Sequence, residues 1–190
     1  MPLSVPEEDR EIVDRDYASF TERAETLVTH YFRRVWNEGR VELTELMWSP
    51  EIVFHSPLGP EPIVGREGLL EYVHAIQGAF SELHFDIEDS VADGDRVVLR
   101  VTQIGVHTGD YFGVPATKRR VEMPEIFMFR VGTGGPLGAM VEEIWLALNA
   151  LYLMQQMGIF PKGDPPRPLI QAIVGIQRFG RAAKAIVGRR

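Results

Sequence analysis

Apolar residues recur at intervals of three and four over the first part of the chain, which is the pattern of amphipathic helices. Within residues 17–36 they are Phe20, Ala24, Leu27, Val28, Tyr31, Phe32 and Val35. Residues 41–47 and 65–80 show the same spacing, so the pattern predicts three helices. Gly39 is suited to a left-handed cap after the first helix, and Pro50 is expected to end the second. A short strand is predicted at 51–56, where Ile52, Val53 and Phe54 are consecutive.

After Ser81 the hydrophobic period changes to two, which is the pattern of half-buried strands. The pair Asp93-Gly94 predicts a tight hairpin between the first two of these strands. Further strands are predicted near 96–107, 118–131 and 140–146, and a last helix near 147–157 that stops at Gly158. This order predicts an α+β domain with helices on one face of a curved antiparallel sheet.

The chain divides into four parts by composition. Residues 1–16 form an acidic tail, 17–158 the domain, 159–168 a Pro-rich linker, and 169–190 a basic amphipathic helix. The apolar side of this last helix is expected to dock on the domain or on a second subunit. Contact with a membrane surface or a partner protein is the alternative, because cationic amphipathic helices bind anionic interfaces.

Composition and charge narrow the chemistry. The 190-residue chain has no cysteine, which excludes thiolate catalysis, disulfides and Cys-ligated metals. Residues 1–161 carry 13 basic and 26 acidic side chains, whereas 162–190 carry seven basic and one acidic. The excess of acidic side chains in residues 1–161 argues against nucleic acid as a partner, because binding to phosphates requires basic side chains. No apolar stretch approaches the ~18 residues of a membrane span, and the start of the chain lacks an apolar signal region, so a cytoplasmic location is predicted.

A run of specific residues carries a resemblance to a known family. Residues 105–121 have the sequence GVHTGDYFGVPATKRRV. This segment closely resembles the motif G-x-H-T-G-x-(aromatic or aliphatic)-x-G-(V/I)-P-P-T-G-R-x-V of the SnoaL-like polyketide cyclases, also called ester cyclases. The flanking segments WNEG (36–39), FHSP (54–57), FRV (129–131), EE (142–143) with Trp145, and QMG (156–158) are similar to further landmarks of that family, in the same order. The resemblance spans residues 20–158.

This resemblance implies the nuclear transport factor 2-like fold, in which a cone of antiparallel sheet and helices encloses one apolar cavity. A homodimer is expected, because the fold commonly forms one. The namesake cyclases close a ring by intramolecular aldol condensation without cofactor or metal. Such a reaction needs a base and a group that stabilises the oxyanion.

The chain departs from the namesake at the catalytic positions. Aligned through His107, the positions of the namesake's strand Gln and catalytic His correspond to Glu125 and Phe127, and its catalytic Asp falls at Trp145 or Leu146. Glu125 is therefore the main candidate for the proton acceptor. Either it faces the cavity, where burial would raise its pKa, or it is turned to solvent at Pro124 or paired with Arg100 or Arg130.

Two histidines are candidates for a donor or orienting group, His55 at the end of a strand and His107 at the start of a loop. A structural role is the alternative for each. Asn149 is a candidate for binding the substrate or for capping the last helix. The aromatic lining is expected from Tyr72, Phe127, Phe129 and Trp145. The histidine spacing fits no common metal site, so no metal is expected.

The sequence thus predicts a cofactor-independent acid–base enzyme of secondary metabolism that cyclises or isomerises an apolar polyketide-like or other cyclic small molecule, in the manner of a lyase or isomerase. Epoxide opening by a hydrolase or cyclase of the same fold is the alternative within enzymes. A non-catalytic ligand-binding protein or dimeric scaffold is the alternative outside them.

Overall fold

Within the described part of the chain, five α-helices and one six-stranded sheet form the domain. The computed structural model describes residues 5–161, so the predicted helix at 169–190 and most of the linker lie outside the described residues. The helices are α1 (Glu11–Asp14), α2 (Phe20–Tyr31), α3 (Thr44–Met47), α4 (Arg66–Ala79) and α5 (Ala150–Gln156). The strands are β1 (Trp48–His55), β2 (Ile63–Val64), β3 (Phe80–Asp93), β4 (Arg96–His107), β5 (Arg120–Thr133) and β6 (Ala139–Leu148).

The sheet has the strand order β2-β1-β6-β5-β4-β3. The last four strands form consecutive antiparallel pairs, as predicted, and Gly94 turns between β3 and β4 with a φ of 57°. The sequence pattern did not predict β2, nor the parallel pairing of β1 with β6. Pro50 was expected to end the second helix, but that helix ends at Met47 and Pro50 lies inside β1.

The sheet is curved, and α2 and α4 cover its concave side. Register shifts interrupt β3 at Ser81/His84 and at Ile87/Asp89, and such bulges bend a strand and increase its twist. Glu82, inside the first bulge, has a φ of 54°. We call the side that contacts α2 and α4 the inner face of the sheet, and the opposite side its outer face.

Aromatic side chains of α2 and the sheet form the centre of the core. Phe32 packs edge-on against Phe85, Phe127 and Phe129, with ring centroids 5.2–6.2 Å apart. After Tyr31 the helix continues as a π-helical segment, Phe32–Asn37, and the chain then turns at Gly39, whose φ of 72° agrees with the predicted left-handed cap. Asn37 donates to the carbonyl of Phe85 and accepts from its amide, which ties this helix end to β3.

The segment before α2 packs on the domain, although the sequence indicated an acidic tail. A 3-10 turn (Glu7–Asp9) and α1 bring Asp9 and Ile12 into buried positions. His30 lies 2.8 Å from the Asp9 carboxylate through Nε2, and burial lowers the pKa of this imidazole. Paired burial of this kind explains how an acidic residue is accommodated beneath the N-terminal segment.

The loop after β4 packs against the junction of α4 and β3. The backbone amides of Thr108 and Gly109 both donate to the carbonyl of Ala79. A Cβ atom at Gly109 would lie 2.1 Å from the carbonyl oxygen of Gly78, which leaves no room for a side chain. This close approach gives a physical reason for glycine in the His-Thr-Gly segment. No helix within residues 5–161 is long and apolar enough to cross a membrane.

Substituting Gly109 tests this docking of the loop on α4. We expect Gly109→Ala to lower the free energy of unfolding by about 1–3 kcal/mol, because the methyl group forces two backbone segments apart. Thermal and urea denaturation measure the effect. Gly78→Ala is the matched control, since a Cβ there meets nothing within 4 Å. That control should be neutral or stabilising by roughly 0.5–1 kcal/mol, and equal stability of the two variants would contradict the close contact.

Candidate active site

Glu125 is the one carboxyl group that the inner face of the sheet holds among residues 5–161. Along β5 the buried residues alternate with exposed ones, and Glu125 shares the buried set with Met123 and Phe127. Its partners in the neighbouring strands are Val101 of β4 and Leu148 of β6. The residues directly paired with Glu125 and those before and after it on the same face of β5 are therefore apolar.

The surroundings of Glu125 determine its protonation. Only 4% of the residue is exposed, and burial raises the pKa of the carboxyl group from 4.5 to about 8. Neither arginine considered from the sequence pairs with it: Arg130 binds Glu142 and Glu143, and Arg100 is exposed. The β4–β5 register runs without interruption past Pro124, so no bulge turns Glu125 outward. At neutral pH this group is mainly a neutral acid.

A cavity of about 290 Å³ lies at the open end of the fold, between α4, α5 and the loops that follow β1 and β4. It is mainly apolar, and the residues that line it are Ser56, Leu58, Gly59, Glu61, Ile63, Tyr72, Tyr111, Phe112, Val114 and Met154. Tyr72 was expected at such a cavity. Its ring packs 4.8 Å from Phe54 and 6.0 Å from Phe112, between centroids.

Tyr72 and Tyr111 connect this cavity to Glu125. Burial raises the pKa of both phenols, and the charge of the Glu125 carboxylate raises them further. The carboxyl group itself is not part of the cavity wall. We call these three residues the phenol–carboxyl cluster. At neutral pH both phenols keep their protons, so the cluster presents hydrogen-bond donors beside a buried acid.

A second, open cleft of about 520 Å³ is lined by Glu125, unlike the first cavity, together with Arg100, Pro124, Ile126 and residues 147–150. Arg100, Pro124 and Ile126 are exposed on the outer face. Strand alternation directs the Glu125 side chain to the opposite face, so this cleft is bordered by its main chain. The link between the carboxyl group and the cavity at Tyr72 and Tyr111 is the effect of its charge on these two phenols, which line that cavity.

His107 lies on the inner face at the end of β4 and is fully buried. Its Nδ1 accepts from the backbone amide of Thr117 and lies 3.0 Å from that residue's hydroxyl. The proton is consequently on Nε2, which has no hydrogen-bond partner within the described residues. Burial lowers the pKa of the ring, so it is neutral, and it contacts the rings of Phe80 and Tyr111.

His55 and Trp145 lie on the outer face, not in the cone. Parallel pairing of β1 with β6 places them side by side, and their rings stack with centroids 5.2 Å apart. His55 Nε2 lies 2.8 Å from the Glu143 carboxylate. The guanidinium group of Arg96 lies over the Trp145 ring, 5.6 Å from the ring centroid. Neither residue contacts the cavity, so the role expected of each there has no support in this geometry.

Phe127, Phe129 and Asn149 also occupy structural positions. The two phenylalanines belong to the aromatic core beneath α2 rather than to the cavity wall. Asn149 caps α5, with its side-chain oxygen accepting from the amide of Tyr152 at 3.0 Å. This is the capping alternative considered from the sequence.

Gln103 is a polar inner-face residue that the sequence reasoning did not identify. It is 8% exposed and follows Leu99 and Val101 in the buried alternation of β4. The signal was present in the sequence, since Gln103 interrupts an otherwise apolar period-two pattern. Within residues 5–161, no group of three or more His, Asp and Glu side chains is arranged to hold a metal ion.

Comparison with known proteins identifies the group of sequences that this chain resembles. The model of the SnoaL-like polyketide cyclase family matches residues 26–157. Curated protein sequences gave no significant match.

Solved structures share the fold over most of the domain. A candidate SnoaL-like polyketide cyclase from Jannaschia sp. CCS1 has a TM-score of 0.67 at 21% identity, covering 77% of this chain and 99% of its own. A candidate polyketide cyclase from Acidithiobacillus ferrooxidans has a TM-score of 0.62 at 27% identity, covering 76% and 98%. The epoxide hydrolase/cyclase-like enzyme SalBIII has a TM-score of 0.55 at 21% identity, covering 68% and 92%. These similarities confirm the expected fold.

The raised pKa of Glu125 predicts a particular pH dependence of stability. The folded protein retains this proton up to about pH 8, whereas the unfolded chain releases it near 4.5. The group therefore lowers the free energy of unfolding progressively as the pH rises through this window, by a few kcal/mol in order of magnitude. Relative to wild type, Glu125→Gln should gain stability between about pH 5 and 8.

Urea denaturation at pH 5.5, 7 and 8.5 measures this difference. Glu122→Gln is the matched control, because Glu122 is exposed on the opposite side of the same strand. If the stability difference of Glu125→Gln changed with pH no more than that of the control, the buried carboxyl group could not have a raised pKa.

Proposed function

The chain belongs to the SnoaL-like polyketide cyclase family, and from this premise we propose that it is a cofactor-independent acid–base enzyme acting on an apolar polyketide-like or other cyclic small molecule. The proposed reaction is a cyclisation or isomerisation that moves a proton and changes no oxidation state. The observation that carries the proposal is the phenol–carboxyl cluster: a buried acid without an ion-pair partner, coupled to two phenols at a mainly apolar cavity.

Glu125 is proposed as the proton acceptor. A general base is most effective when its pKa lies near the working pH, and burial brings this carboxyl group to about 8. At pH 7 roughly a tenth of the molecules hold it ionised. The ionised form is poorly solvated and therefore a stronger base than an exposed carboxylate.

An intramolecular aldol addition, the ring-closing step of such a condensation, illustrates the proton balance. The Glu125 carboxylate removes a proton from a carbon next to a carbonyl group, and the resulting enolate carbon bonds to a second carbonyl carbon of the same molecule. The alkoxide formed there takes the proton back from Glu125. Atoms and charge balance without a cofactor, and the substrate is isomerised into a ring.

Tyr72 and Tyr111 are proposed as the groups that stabilise the oxyanion. Both line the cavity and both are protonated at neutral pH, so they can donate to an oxygen that gains negative charge. Because Glu125 lies away from the cavity wall, its proton is exchanged either directly after a small side-chain movement or through one of these hydroxyls. His107 is proposed to support Tyr111, whose ring it contacts.

Epoxide opening is the second candidate, and Gln103 favours it. That reaction needs an acidic or amide group near Glu125 to help hold a water molecule or the epoxide oxygen. Gln103 lies on the inner face of the adjacent strand, two positions from the residue paired with Glu125. The fold is shared with SalBIII, described as an epoxide hydrolase/cyclase-like enzyme in pyran ring formation.

Replacement of the proposed base tests the leading function. In assays of polyketide and epoxide substrates by mass spectrometry, Glu125→Gln should lower kcat by about 10²–10⁴-fold, because an amide cannot accept the proton. For the wild-type protein, kcat/KM should rise with pH and level off above about 8, since only the ionised carboxyl group acts as the base.

Glu122→Gln is again the control and should keep wild-type turnover. Unchanged turnover in Glu125→Gln would remove Glu125 as the base. Reactions in ¹⁸O-labelled water identify epoxide hydrolysis, which adds one labelled oxygen from water to the product. Ring closure adds no water, and the structure of the product then shows whether the ring formed through a new carbon–carbon bond or through epoxide opening. Binding of these compounds without turnover would instead support a ligand-binding protein.

A further inference from the structure

Gln103 places a polar carboxamide on the inner face of β4, among residues that are otherwise apolar. Val97, Leu99 and Val101 precede Gln103 on this face and are fully buried. An amide on an apolar face costs free energy unless its hydrogen bonds are made. Buried polar groups in native proteins therefore usually have partners, and one without a partner calls for an explanation.

Other amide side chains of the domain have such partners. Asn37 bonds twice to the backbone of Phe85, and Gln77 donates to the carbonyl of Val35. Gln156 makes two bonds to the backbone of Glu122. Within residues 5–161, by contrast, the Gln103 carboxamide makes no hydrogen bond to another residue, and its nitrogen and oxygen are not among the fully enclosed polar atoms, so a small molecule can reach them. Its hydrogen-bonding capacity is available for a molecule inside the fold.

The register of the sheet places this free amide close to Glu125. Gln103 is paired with Met123, and Glu125 is paired with Val101, so the two occupy diagonal positions on neighbouring strands. Diagonal positions on one face are about 7–8 Å apart at the backbone, which long side chains can span. Among the described residues Glu125 likewise has no hydrogen-bond partner, and burial is what raises its pKa. Long side chains at such positions can both contact a small group that lies between them on this face.

We propose that Gln103 is a further substrate-contacting residue, whose side-chain N–H donates to the oxygen that becomes negative when Glu125 moves a proton. This inference rests on the proposed function and extends it to a second strand. The substrate class follows from the geometry: the reacting carbon carries an oxygen acceptor, a carbonyl or an epoxide, within reach of both side chains. The Gln103 carbonyl oxygen remains able to accept from a water molecule or a substrate hydroxyl.

Gln103→Met tests the proposal, because methionine fills a similar volume without polar nitrogen or oxygen. If the amide serves the substrate alone, its removal should raise the melting temperature, since an unsatisfied polar group leaves an apolar face. With the substrate that the wild-type protein converts, kcat should fall about 10–100-fold while KM changes little, because the donor acts mainly in the transition state. Higher stability with lower turnover is the expected combination.

Thr102→Val is the matched control on the next residue. Thr102 lies on the outer face and its hydroxyl donates to Glu88 at 3.0 Å, so its loss should leave turnover unchanged. Wild-type kcat in Gln103→Met would overturn the proposal, and so would a fall in both turnover and melting temperature, which indicates a structural amide. Neither result affects the proposed function if Glu125→Gln is inactive. Full activity of Glu125→Gln would reject the proposed function itself, whatever Gln103→Met shows.

Discussion

The burial of one carboxyl group on an apolar sheet face is the constraint on which the site depends. Desolvation favours the neutral form of Glu125 and so opposes its ionisation. The fold tolerates this because the aromatic packing of Phe32 with Phe127 and Phe129 lies directly along the same face and is independent of the acid. A well-packed core next to the site keeps water away from the carboxyl group, and that exclusion is what gives it a pKa suited to proton transfer.

Strand alternation divides the acidic residues into two populations with different chemistry. Glu142 and Glu143 lie on the outer face, where Arg130 binds both and His55 binds Glu143. These partners lower the pKa of Glu143, so it stays ionised. Glu125 is on the neighbouring strand but faces the other way, without a cation. The face of the sheet on which a carboxyl group lies therefore separates a structural ion-pair network from a buried acid without such partners.

The sequence was sufficient to locate Glu125 but not to place His55. Period-two alternation along β5 is local, so the face of Glu125 follows from its neighbours Met123 and Phe127. The face of His55 depends on the parallel pairing of β1 with β6, a contact between residues about 90 positions apart in the chain that no local pattern encodes. Gln103 could have been identified from the sequence, since it is a polar residue at a position where the period-two pattern of β4 predicts an apolar one. What the sequence could not supply was the register that sets it diagonal to Glu125.

At neutral pH the titratable groups described on the inner face of the sheet, and the two phenols at the cavity, are mainly uncharged. Glu125 is mostly protonated, Tyr72 and Tyr111 keep their protons, and burial keeps His107 neutral. In the proposed function, an apolar, uncharged substrate would enter without displacing a counter-ion or desolvating an ion pair. Charge arises only when the proton moves, in surroundings of low dielectric where neutral donors stabilise an oxyanion more strongly than water-exposed ones do. In the proposed mechanism, the absence of fixed charge is thus what would allow weak donors such as phenols and a carboxamide to contribute to catalysis.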